Sequence, residues 1–147
     1  MAEKYNPSNI ALEQILNFIK SGEIAIPEIQ RPFVWKPKQV RDLVDSLYNG
    51  YPTGYLIISQ SPNLKLKDGT LSEGKKIMID GQQRVTALMT AIIGIDIINS
   101  EFEKKRMKIA FNPWANPDSD EERFKVQDNA ILKDKRWIAD IAEVFMP

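Results

Sequence analysis

The stretch KIMIDGQQRVTALMTAIIG, residues 76–94, decides the fold. Its apolar run Ile77-Met78-Ile79 stops at Asp80-Gly81. From Gln82 onward Val85, Leu88, Met89, Ile92 and Ile93 recur at helical spacing, until Gly94 ends the pattern. A buried strand therefore turns through one glycine into an amphipathic helix. The turn itself carries a carboxylate, two amides and a guanidinium, and any functional reading must explain why they gather there.

Upstream of this joint, Leu12, Ile15, Leu16 and Ile19 make the apolar stripe of a first helix, with Ser8 as its candidate cap and Ser21-Gly22 as its stop. The strand EIAIP follows at residues 23–27. Prolines 27, 32 and 37 hold EIQRPFVWKP, residues 28–37, in an extended connection. Pro37 suits the first turn of a second helix, whose apolar face is Val40, Leu43, Val44 and Leu47 and whose end is Asn49-Gly50. GYLIIS, residues 54–59, reads as a buried strand, and residues 61–75 as a turn-rich link with Asp68-Gly69 at a hairpin tip.

Downstream, RMKIAFN (106–112) and RFKV (123–126) read as strands around the polar loop NPWANPDSDEE (112–122). WIADIAEVFMP (137–147) reads as the opening of another helix. Strands and helices interleave, which predicts a single α/β (α+β) domain over residues 1–147 with a small mixed sheet. The half-begun closing segment leads us to expect the N-terminal piece of a longer protein.

Composition narrows the chemistry. The 147 residues are 43% apolar and 27% charged, as in ordinary globular proteins, and 20 basic residues balance 20 acidic ones. Net neutrality removes the strong electrostatic footprint of a dedicated nucleic-acid binder and leaves DNA contact open. Without cysteine there are no disulfides and no thiolate metal sites; without histidine there are no His-based triads, zinc-protease sites or HNH-type nuclease centres in this chain. The N-terminal MAEKYNPSNI has no apolar signal core, and the apolar stretch near residues 91–98 is too short to span a bilayer, being broken by Gly94 and Asp96. These features predict a cytoplasmic protein with no membrane partner.

Unpaired N–H groups at the start of the third helix form a ready anion site. Gly81 lets a ligand approach the backbone, and Arg84 can reach back to a phosphate. Gln82 and Gln83 can orient a water or read a base or ribose edge. Asp80 can hold magnesium through waters or accept a proton from an attacking water. The competing reading is structural: Asp80 and Gln83 have capping-box spacing, and Arg84 then sits on the helix's solvated face. A second polar pair, Gln30-Arg31, lies among the apolar Ile29, Phe33 and Trp35. The aromatics serve as core anchors or as stacking surfaces, and Arg31 as a phosphate ligand or an ion-pair partner. If Arg31 and Arg84 converge on one cleft, its natural ligand is a polyanion such as a nucleoside triphosphate.

In order, IPEIQRPFVW (26–35), VRDLVDSLYNGYPTGYLII (40–58) and IMIDGQQRVTAL (77–88) resemble the N-terminal domain of the GmrS/GmrD-type restriction proteins, the DGQQR-bearing group related to ParB and sulfiredoxin. The resemblance implies a compact ParB/sulfiredoxin-like fold. It also implies an NTPase site in which Asp80, Gln82, Gln83 and Arg84 serve catalysis and Gln30, Arg31, Gly81 and Arg84 hold the nucleotide. Asp80 then engages magnesium, and the expected cofactor is a nucleoside triphosphate with Mg2+. Family members usually carry a C-terminal HNH-type nuclease domain, absent from this chain, and restrict modified phage DNA. The function expected here is accordingly a nucleotide-binding and hydrolysing regulatory domain of a restriction system. The alternative is a non-catalytic module that senses modified DNA through the same two loops.

Overall fold

The computed structural model describes residues 9–25, 32–60 and 76–145. The first helix, α1 (Leu12–Ser21), buries Ile15 and Leu16 and ends on Gly22. It starts three residues later than a Ser8 cap would put it. Ala11 stands at the N-cap with no side-chain bond, and Ser8 itself lies outside the described residues. Next come β1 (Ile24–Ala25), α2 (Pro37–Tyr48) and β2 (Ile57–Gln60). In α2 the N–H of Lys36 donates to Oε1 of Gln39 at 2.8 Å, and Val40, Leu43 and Val44 face inward as their spacing predicts. Burying each of those side chains is worth about 1.5–3 kcal/mol. The Asp68-Gly69 hairpin tip lies outside the described residues.

The central strand β3 (Lys76–Asp80) pairs in parallel with β1 and antiparallel with β2, so the three-stranded sheet β1-β3-β2 is mixed. Ile77 and Met78 are completely buried. The helix that follows is α3 (Gln82–Leu88), running directly into a π-helical turn, Met89–Ile93. That widened turn was not legible in the apolar spacing. It buries Thr90, whose hydroxyl accepts from the N–H of Met107 at 3.0 Å.

Among the described residues two further ribbons follow: β4 (Ile97–Ile98) with β5 (Lys104–Lys105), and β6 (Ile109–Phe111) with β7 (Phe124–Val126). The expected strand at 106–112 shrinks to three residues. Short helices α4 (Asn129–Leu132) and α5 (Ala142–Phe145) close the described chain, α5 being the part of the helix expected from residue 137 that forms among the described residues. The main core joins α1, α2 and the α3–π helix to Phe33, Met107, Ile109, Phe124 and Ile141. A satellite cluster of Ile15, Ile24, Met78 and Val85 sits between α1 and the sheet. No helix among the described residues is long and apolar enough to cross a membrane.

Candidate functional site

The joint after β3 opens as a cleft of about 320 Å³ lined by Trp35, Ile79, Asp80, Gly81, Gln82, Gln83 and Arg84. Its geometry begins with a β-bulge. Ile57 pairs with Asp80 and Ile58 with Met78, so Ile79 is an extra residue with no partner on β2. Bulges bend a strand and re-aim its side chains. Here the bulge leaves Ile79 51% exposed immediately after two fully buried neighbours, and Asp80 is exposed as well.

Gly81, not Asp80, is the N-cap of α3, at φ 91° and with no side-chain cap bond. The capping-box reading of Asp80 and Gln83 therefore fails. The turn needs a residue that tolerates positive φ, and a β-carbon on Gly81 would overlap Cδ2 of Leu56. Packing of the protein against itself already fills the space that a glycine would leave for a ligand on that side.

Gln83 is free to do something else, and it does. Its Oε1 accepts from the N–H of Val34 at 3.1 Å and its Nε2 donates to the carbonyl of Pro32 at 3.3 Å. One side chain thus fixes the extended segment that carries Trp35. Arg84 fixes a second segment: Nη1 donates to the carbonyl of Thr53 and Nη2 to that of Tyr55, both at 2.6 Å. Gln82 turns back, its Nε2 donating to the carbonyl of Met78 at 2.9 Å. Three adjacent polar side chains therefore knit the strand end, the 32–34 segment and the 53–55 loop into one frame. This clamp function was not visible in the sequence, where the same residues read as ligand-facing or as a helix cap.

The sequence-predicted residues Asp80, Gly81, Gln82, Gln83 and Arg84 come together around one cleft; Gln30 and Arg31 lie outside the described residues. Of the two aromatics, Phe33 is buried in the core, while Trp35 both packs on that core and lines the cleft, its ring tilted 38° to that of Phe33. Sequence reasoning left Trp35 between core anchor and stacking surface; its ring packs on the core and also borders the cleft. Among the described residues there is no group of three or more carboxylate, imidazole or thiolate ligands. Asp80 could hold a magnesium ion only in company with waters and a ligand's own oxygens, which is how magnesium commonly binds alongside phosphates.

Residues 12–143 match the family described as the GmrSD restriction endonuclease, N-terminal domain. An uncharacterized protein of Methanocaldococcus jannaschii, MJ0686, is 28% identical over 102 residues, an alignment covering 54% of this chain and 17% of that protein. The chain thus corresponds to a small part of that relative's length. No solved structure matches the chain.

Proposed function

The chain belongs to the family of GmrSD restriction endonuclease N-terminal domains, and from that premise we propose that it binds and hydrolyses a nucleoside triphosphate as the regulatory domain of a modification-dependent antiphage restriction system. The observation that carries this reading is the cleft at residues 79–84. There an exposed carboxylate, the start of a helix and a rigidly held arginine share one opening with an aromatic ring.

Each residue has a definite task. The backbone N–H groups of Gln82, Gln83 and Arg84 precede Val85, the first residue whose N–H is taken by an intrahelical carbonyl, and donate to phosphate oxygens. Arg84 spends both terminal nitrogens on loop carbonyls, so its charge stays fixed beside the cleft instead of swinging freely. A fixed charge needs no reorganisation as negative charge develops on a transferred phosphoryl group. Asp80 accepts the proton of an attacking water or engages magnesium; the ion, when bound with the nucleotide, neutralises phosphate charge. Gln83 has both ends of its amide committed, so it acts as a positioning residue. Gln82 commits its Nε2 among the described residues, leaving its Oε1 as the amide oxygen to orient water.

Phosphate release from each of the four ribonucleoside triphosphates, with and without magnesium, tests this directly. Asp80→Asn is expected to lower turnover by about 10²-fold, the usual worth of a positioned proton acceptor. Arg84→Ala is expected to lower it by about 10²–10³-fold. Wild-type rates in both variants would end the proposal.

A further inference from the structure

We infer that Trp35 and Ile79 form the subsite for the planar base of the bound nucleotide; the inference rests on the nucleotide-binding reading above and specifies which part of the ligand contacts which wall. Two independent features of the fold lead to it. Ile79 is the unpaired residue of the β3 bulge and is half exposed, although the two residues before it are fully buried. Among the described residues its side chain belongs to neither core cluster, and it lines the cleft. Trp35 is the aromatic member of the same lining, and the segment that bears it is held by Gln83 through Pro32 and Val34.

The cleft is therefore divided by chemistry. Asp80, the backbone amides of Gln82 to Arg84 and the Arg84 guanidinium make its polar part; Trp35 and Ile79 are its large apolar side chains. A ligand that satisfies both parts must join a strongly polar, anionic group to a flat apolar one, as a nucleotide does. Base stacking on an aromatic face is sequence-tolerant because every base has a π-face. Trp35 and Ile79 consequently supply affinity for a base as such, whichever of the four it is. Gln83 is a positioning residue for the Trp35 ring, acting through the backbone it grips.

The test compares the four ribonucleoside triphosphates with inorganic tripolyphosphate, which has the charge and no base. The chain has three tryptophans, so in a Trp114→Phe/Trp137→Phe protein, excited at the red edge where tyrosine does not absorb, Trp35 is the sole emitter. Nucleotides are expected to quench or shift its emission, and tripolyphosphate to leave it unchanged. Ile79→Ala and Trp35→Leu should each weaken nucleotide binding by about tenfold with tripolyphosphate affinity intact, and Trp35→Phe should restore most of the loss. Should Trp35→Leu prove unstable, Ile79→Ala alters an exposed side chain and decides alone. If nucleotides and tripolyphosphate bind wild type equally, or if neither Ile79→Ala nor Trp35→Leu distinguishes them, the base subsite is overturned while phosphate binding stands. If neither ligand binds wild type at millimolar concentration, the subsite and the nucleotide reading fall together.

Discussion

The backbone of Gly54 lies directly against the guanidinium of Arg84: a β-carbon added at Gly54 would overlap Nη1 and stand 3.1 Å from Cζ. The glycine also has φ 100°, a conformation that side chains rarely tolerate. Two requirements, backbone shape and clearance for Arg84, thus converge on one residue 30 positions away from the arginine it accommodates.

Gly54→Ala is therefore expected to destabilise the protein by about 2–4 kcal/mol, combining positive-φ strain with displacement of a hydrogen-bonded arginine. In an Arg84→Ala background the clash disappears and the strain remains. The second substitution should then cost at least about 1 kcal/mol less than it does in wild type. Urea denaturation of the four proteins in the cycle measures this, and strict additivity would remove the clearance argument.

Arg106 and Asp140 form the most enclosed ion pair among the described residues, with Nη1 to Oδ2 at 2.8 Å and Nη2 to Oδ1 at 3.1 Å. Nη2 also donates to the carbonyl of Thr90, and Oδ1 accepts from the N–H of Ala142. Breaking the pair from one side, as in Arg106→Met, leaves a buried carboxylate and is expected to cost about 3–5 kcal/mol. Arg106→Met combined with Asp140→Leu should recover much of that loss, since neither charge is then stranded. Thermal denaturation of the two variants compares them.

Phe102 is a bulky residue at φ 61° and 78% exposed, in the turn between β4 and β5. The turn is shaped by Asn99, whose Oδ1 accepts from the N–H groups of Glu101 and Glu103, each at 2.9 Å. Phe102 therefore adds little to its own turn and carries the strain. Phe102→Asn is expected to raise stability by about 0.5–1 kcal/mol, because asparagine adopts the left-handed conformation more readily. A lower melting temperature in that variant would mean that the ring has a stabilising contact after all.

Asp134 accepts from Nη2 of Arg136 at 2.8 Å, and hydrogen bonds from the side chain and backbone of that arginine hold its carboxyl at about 2, against an ordinary value of 3.8. The folded state therefore favours the charged form. Its contribution to stability is complete above the ordinary value and fades as pH falls from there toward about 2. A carboxyl NMR titration should find the low midpoint in wild type and a return toward 3.8 in Arg136→Gln. At this exposed position the effect on global stability is expected to be small.

Much of the architecture was legible because it follows from apolar spacing. The inward faces of α1 and α2, the buried Ile77-Met78 of β3 and the start of α3 behave as their sequences predict. The π-helical turn and the β4–β5 ribbon were not legible. One depends on tertiary bonding around Thr90, and the other rests on strands only two residues long. At the site, the cluster Asp80–Arg84 was visible as a motif, but its division of labour was not. Whether Gln83 faces a ligand or grips Val34 depends on a partner 49 residues away, and local spacing holds no record of it. The same is true of Ile79, whose exposure arises from a register shift against β2.

The hydrogen bonds that frame the cleft join residues separated by 29, 31, 49 and 51 positions along the chain. Each closes a long loop, and the entropy of those closures is recovered only once the sheet and helices are already assembled. The cleft is thus expected to form only together with the tertiary structure around it. Its occupancy reports on the whole domain, and no isolated peptide containing residues 76–94 should reproduce it.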